Sequence, residues 1–256
     1  MVAIDLNSDL GESFGRYTVG NDEAVMGLIT SANVACGVHA GDPDVMAQTV
    51  AVAAQRGVAI GAHPGFPDRQ GFGRRYLAMA PLEVEHLVTY QVAALAGFTK
   101  GHRLHHVKPH GALYNAAAKD YDLALAICRG VKQFDPGLPL YGLAGSALLQ
   151  AAAEVGLPAR AEVFADRAYQ ADGSLVPRGQ AGAVLTDAQQ VAARAVAMVE
   201  NQAVTAITGE TVPLQVDTIC VHGDNDAALA LVKELRAAML AQGIEIRDKS
   251  FLTQLA

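Results

Sequence analysis

The stretch Ile4-Asp5-Leu6-Asn7-Ser8-Asp9-Leu10-Gly11-Glu12-Ser13-Phe14-Gly15 governs how the chain is read. Apolar and polar residues alternate from Val2 to Leu6, the pattern of a half-buried strand. Asn7, Asp9 and Glu12 then follow, with two glycines, in what reads as the turn after it. By itself such a segment is either a solvated loop or a first βα loop carrying active-site carboxylates, and the remaining chain has to decide between them.

The unit recurs. Residues 21–29 have helical spacing, and residues 32–36 read as a second strand that leaves through His39 to Asp42-Pro43, an N-cap followed by proline at the first helical position. Gly57 ends that helix, and residues 58–62 form a short buried strand. It exits into His63-Pro64-Gly65 and a long loop carrying Arg69, Arg74 and Arg75, which reads as a lid or anion clamp. Pro81 opens a helix that runs to Gly97, and residues 105–111 form a fourth strand and its exit, with Lys108 and His110 on one side. An amphipathic helix over 121–134, a strand over 138–144 and a helix over 146–155 come next. Residues 161–165 are a sixth strand leaving into Asp166-Arg167 and a turn-rich passage over 171–183. Thr186 and Gln189 make a capping-box pattern before a helix to about Glu200. Residues 218–221 are a seventh strand, ending in His222-Gly223-Asp224, and the helix after it stops at Gly243.

Strands alternating with helices imply a parallel sheet, whose ligands lie at the carboxyl ends of the strands. A chain of 256 residues, 51% hydrophobic, is long enough for one such domain over residues 1–256. The net charge of -7 and the absence of any basic stripe argue against nucleic acid. With 5% aromatics and no tryptophan, a carbohydrate-stacking platform is poorly supplied. Cys36, Cys128 and Cys220 are far apart, in no C-x-x-C pair, and read as reduced thiols. No secretory signal or membrane span is legible, so a cytoplasmic protein with no membrane association is expected.

The informative feature is coincidence. Asp9 and Glu12, His39, His63, Lys108 and His110, Asp166 and Arg167, and His222 and Asp224 all follow directly after predicted strands, which favours one shared catalytic face. Asp9 with two of His39, His63, His110 and His222 supplies the mixed nitrogen and oxygen set that suits zinc or another divalent transition ion. Equally open is a role for the histidines as general bases, or as donors to an anionic substrate. Arg69, Arg74, Arg75, Lys108 and Arg167 are candidates for binding phosphate or carboxylate. Neither a Walker P-loop nor a G-x-G-x-x-G after a strand is present.

Taken together, D-L-N-S-D-L-G-E-S-F-G at 5–15, N-V-A-C-G-V-H-A-G-D-P at 33–43, G-A-H-P-G-F-P-D at 61–68, G-F-G-R-R at 71–75, V-K-P-H-G-A-L-Y-N at 107–115, E-V-F-A-D-R-A-Y at 162–169 and I-C-V-H-G-D-N at 219–225 closely resemble the LamB/YcsF family. The resemblance implies a seven-stranded distorted TIM-type (β/α) barrel of the glycoside hydrolase/deacetylase class. It also implies a 5-oxoprolinase activity, the ATP-dependent cleavage of 5-oxo-L-proline to L-glutamate beside partner subunits B and C. On that basis Lys108 and an arginine of the 69–75 loop neutralise substrate carboxylate or phosphate, with Asn7 and Arg167 as further binding candidates. Asp9 or Glu12, with His39, His63 or His110, activates water or holds a metal, and Asp166, His222 and Asp224 stand behind them. By analogy with deacetylases of that class, a metal would take Asp9, His39, His63 and His110. Two alternatives are a metal-dependent deacetylase or amidohydrolase acting alone, and a non-catalytic subunit that binds substrate and docks its partners.

Overall fold

In β1 (Ala3–Leu10) the alternation separates two buried environments, where the sequence suggested one buried and one solvated face. Ile4 and Leu6 are fully buried in the apolar core, while Asp5 and Asn7 on the other face are also buried, at 1% and 0% exposure. That other face looks into a barrel. Such burial of polar groups requires hydrogen-bond partners, and Asp5 has three hydroxyl donors in Thr30, Ser31 and Thr218, at 2.6–2.7 Å. β1 also continues through Asp9, so Asn7 and Asp9 belong to the strand, whereas Glu12 lies in the loop beyond it.

The computed structural model describes residues 2–222 and 226–248. β1 is followed in parallel, each strand pairing with the last, by β2 (Ser31–Ala35), β3 (Ala59–His63), β4 (His106–Val107), β5 (Leu140–Leu143) and β6 (Ala159–Phe164). After an antiparallel hairpin of β7 (Ala203–Thr205) and β8 (Thr211–Pro213), β9 (Thr218–Cys220) inserts between β6 and β1. This closes a seven-stranded parallel barrel, with β10 (Glu245–Ile246) added beside the start of β1. The expected (β/α) barrel is therefore the observed one.

The outer layer comprises α1 (Asp22–Met26), α2 (Pro43–Gln55), α3 (Pro81–Ala96), α4 (Gly111–Ala117), α5 (Tyr121–Phe134), α6 (Ala147–Val155), α7 (Ala188–Asn201) and α8 (Asp226–Ala241). Local chemistry sets several starts. Asp42 accepts from the Val45 amide with Pro43 at the first helical position, and Asp120 accepts from the Leu123 amide. The expected capping box at Thr186 is displaced by one residue, because Asp187 is the side chain that accepts, from the Gln190 amide. The helix read over 21–29 is shortened to Asp22–Met26, and the fourth strand is only two residues long. Pro109 has no N–H to donate to a ladder, and the chain instead enters α4, a helix the sequence pattern did not announce. Among the described residues no helix is long and apolar enough to cross a membrane.

Candidate active site

The strand ends of β1, β2, β3 and β4 deliver Asp9, His39, His63, Lys108 and His110 to one place, and the loop after β1 brings Glu12 over them. Donor atoms of Glu12, His39, His63 and His110 all lie within 4.8 Å of one another. Of the two carboxylates the sequence reading offered for a metal, Glu12 is the one in this group, while Asp9 Oδ2 lies 3.3 Å from His63 Nε2. The loops are tied together around it: Gly15 donates to the Asp42 carboxylate, and Arg69 donates to the carbonyls of Gly37 and Gly41 while stacking 3.9 Å over Phe14. Above the histidines Phe72 adopts a positive φ of 55°, rare for a bulky residue, and Gly73 follows at 63°. A Cβ on Gly73 would approach His39 Cβ and His110 Cδ2 to 2.8 Å, so only glycine lets the loop come this close.

Hydrogen bonds assign the tautomers. His63 Nδ1 lies 2.7 Å from the Lys108 carbonyl and His110 Nε2 lies 2.8 Å from the Phe72 carbonyl, and carbonyls only accept. Each neutral ring has therefore used its single N–H. What remains is His63 Nε2 facing His110 Nδ1 at 2.9 Å, two bare lone pairs, with Asp9 Oδ2 3.3 Å from the first and Glu12 Oε1 3.3 Å from the second. Such an arrangement is repulsive unless a cation, either a proton or a metal ion, lies among these atoms. Neither ring nitrogen of buried His39 has a hydrogen bond, and its Nε2 is 3.5 Å from Glu12 Oε1 while its ring stacks on His110 at 3.8 Å.

The electrostatics follow from burial and neighbours. Burial, reinforced by the charges of His110 and His63, holds His39 well below the usual imidazole range; burial and His63 push His110 down to about 3. For His63 burial acts downward, but Asp9 and Glu12 outweigh it and the net shift is upward. Burial alone would raise Asp9, yet His63 and Lys108 hold it well below the usual carboxylate value. Lys108 is kept charged despite burial, chiefly by Asp9, Cys220 and Glu162.

Lys108 is only 2% exposed. Its Nζ lies 2.8 Å from Glu162 Oε1, 3.0 Å from Asn7 Oδ1 and 3.1 Å from both Asp9 Oδ1 and Cys220 Sγ. These contacts tie it to Asp9; the sequence reading had it neutralise a substrate carboxylate or phosphate. Asn7 is likewise saturated, donating to Glu162 and Thr218 and accepting from Asn33 and Lys108. Asn33, Glu162, Tyr114 and His106 complete this network, and the sequence reading had not singled out any of them as site residues. Glu162 at 0% exposure accepts from Tyr114 Oη at 2.6 Å. The available signal was a carboxylate or amide inside a strand that parallel pairing buries on both faces.

The arginines do not gather. Arg75 is paired with Asp68, its Nε 3.0 Å from both carboxylate oxygens. Buried Arg167 donates to the carbonyls of Val176 and Ala183 and so braces the excursion after β6. Arg74 is exposed, 5.1 Å over the Phe72 ring. At the ends of β6 and β9, His222 Nδ1 is 3.1 Å from Asp166 Oδ2. Burial tends to raise the Asp166 carboxyl, but His222 brings it below its usual value. Continuing the register Asn7↔Cys220 sets residue 222 level with Asp9. Asp224 lies outside the described residues.

A family model, LamB/YcsF family, matches residues 4–254. The 5-oxoprolinase A subunit of Limosilactobacillus fermentum is 74% identical, over 96% of this chain and 99% of its own length. That of Bordetella pertussis is 56% identical over 96% of this chain and 98% of its own. Among solved structures, a lactam utilization protein from Thermus thermophilus is 44% identical and superposes with a TM-score of 0.92, over 96% of this chain and 99% of that one.

Proposed function

The chain belongs to the LamB/YcsF family, and from that premise we propose that it is the A subunit of a cytoplasmic 5-oxoprolinase, opening the lactam ring of 5-oxo-L-proline to L-glutamate with ATP hydrolysis in an assembly with subunits B and C. The observation that carries the reading is the pair of bare imidazole lone pairs, His63 Nε2 and His110 Nδ1, set beside Glu12 and the ionised Asp9 at the strand ends.

That donor set fits a divalent transition ion. The second nitrogens of His63 and His110 are tied to backbone carbonyls, as in metal-bound histidines, and His39 brings ring nitrogens without hydrogen bonds. Glu12, His39, His63 and His110 would hold the ion, which when bound supplies Lewis acidity toward the lactam carbonyl. Asp9 Oδ1 is held by Asn33 and Lys108, so Oδ2 is the oxygen that orients the attacking water. When the ring C–N bond breaks, the departing nitrogen needs a proton, and His222, held through Nδ1 by Asp166, is the donor assigned here. Arg74 at the mouth pairs with the substrate carboxylate. An amide is resonance-stabilised and a five-membered lactam recloses readily, so coupling to ATP in the assembled enzyme drives opening to completion.

The deciding experiment measures glutamate formed from 5-oxoproline, with and without ATP, with and without the partner subunits, and after chelation. The reading expects glutamate only from the complete system, lost on chelation and in Asp9→Asn. Glutamate from the chain alone without ATP would instead identify a self-sufficient metal-dependent amidohydrolase, which the same donor cluster suits. Full turnover in both Asp9→Asn and His110→Ala would identify a docking subunit.

A further inference from the structure

We propose that His106, on the strand three removed from Asp9, is a positioning residue that orients the Asp9 carboxylate through Asn33, across a gap held open by Gly61. The inference rests on the reading of Asp9 as the water-orienting carboxylate. The strand register aligns Asp9 with Asn33, Asn33 with Gly61 and Gly61 with His106, so the four residues form one row across β1, β2, β3 and β4. A side chain on the third strand would separate the second from the fourth. A Cβ built on Gly61 would lie 2.2 Å from His106 Nε2, so the histidine ring occupies the space a side chain there would fill. It reaches over the glycine, and its Nε2 comes 2.6 Å from Asn33 Oδ1. Tyr141 stacks on its other side at 4.0 Å, with the rings 13° apart.

Each hydrogen atom along the row is determined by its neighbour. Asn33 Nδ2 lies 2.8 Å from Asn7 Oδ1 and 2.8 Å from Asp9 Oδ1, both acceptors, which settles the amide orientation and leaves Asn33 Oδ1 as the acceptor facing His106. His106 Nε2 must carry the proton. Its bare Nδ1 then accepts from His105 Nδ1 at 3.0 Å. Without the His106 N–H, the buried Asn33 oxygen loses its donor and the amide is held only at its Nδ2 end, by Asn7 and Asp9, so it can tilt and weaken its bond to the Asp9 carboxylate. The position of Asp9 then rests chiefly on Lys108 and His63.

The test uses the full chain with its partner subunits, and the isolated full chain by NMR. In the reconstituted system His106→Leu and Gly61→Ala should each lower kcat about tenfold, with KM within twofold. His106→Gln, whose amide N–H can replace the donor, should recover kcat to within threefold of the parent. Gly61→Ala added to His106→Leu should lower kcat no further, because the ring it displaces is gone. On nitrogen-15-labelled chain, His106 should appear as the Nε2–H tautomer, and the Asn33 side-chain amide should be protected from exchange in the parent and His106→Gln but not in His106→Leu. Unaltered kcat in His106→Leu, equal losses in the Leu and Gln variants, or an Nδ1–H tautomer would overturn the proposal. Should the parent complex not turn over 5-oxoproline, the functional reading fails by itself, and the Asn33 amide still decides the positioning chain. If His106→Leu does not fold, Gly61→Ala and His106→Gln carry the same comparison.

Discussion

Metal loading of the Glu12–His39–His63–His110 cluster has a calculable effect on stability. A ligand that binds only the folded chain stabilises it by RT ln(1 + [L]/Kd), about 2.7 kcal/mol at a free metal concentration of 100 Kd. For a chain of 256 residues, a change of 1 kcal/mol moves the unfolding midpoint by roughly 2–4 °C, so loading should raise it by roughly 5–10 °C. Glu12 is the only carboxylate in the set, 3.3 Å from His110 Nδ1 and 3.5 Å from His39 Nε2. Replacing it by Gln keeps the shape and removes the charge. If affinity falls about tenfold, or 1.4 kcal/mol, the same metal concentration leaves about 1.4 kcal/mol of stabilisation, and the shift is halved to roughly 3–5 °C. Thermal melts of chelator-stripped protein, with and without zinc or manganese, measure both shifts, and a competition titration gives the affinities. Parent protein whose midpoint does not respond to metal, or Glu12→Gln and His110→Ala variants that respond as fully as the parent, would refute a cation site built from these four residues.

Lys108→Met should destabilise the fold by about 3–5 kcal/mol in urea unfolding, because Asp9 and Glu162 are left as buried carboxylates without their cation; a loss below about 1 kcal/mol would contradict the account of Lys108 as the counter-charge of the network. His106 gives a pH dependence. Burial first, and then the charges of His105 and Lys108, hold it well below the usual imidazole value. The unfolded chain therefore takes up a proton that the folded chain refuses, and stability present above about pH 6.5 is lost below it at up to about 1.4 kcal/mol per pH unit. Unfolding free energies measured between pH 7 and 5 should show this slope reduced in His106→Gln, and an unchanged slope would count against a buried neutral His106.

How much of this was legible beforehand depended on distance along the chain. Turn chemistry and periodicity act over a few residues, so the rhythm of strand, loop and helix could be read directly. Tyr121–Phe134 and the Asp42-Pro43 start are found where the spacing placed them. The hairpin of β7 and β8 and the short helix α4 were not read, since three-residue strands and a seven-residue helix carry too few periods to stand out. Histidines and acids at the strand exits were visible because a parallel sheet puts such exits on one face.

The sequence by itself determined the fold class and the candidates: the alternating opening strand, the repeated β-loop-α units, and Asp9, Glu12, His39, His63, Lys108 and His110 at the exits. Only the tertiary structure decided how those groups divide their work. Barrel closure brings β9 against β1, so that Thr218 meets Asp5 across 213 positions and Glu162 meets Asn7 across 155. No local pattern encodes either contact. Closure turned the polar face of β1 inward instead of to solvent, engaged Lys108 with Asp9, and brought Glu12 into the cation-seeking cluster. The physical reason is that a strand's own residues specify two faces, while the strands that close around it determine what each face meets.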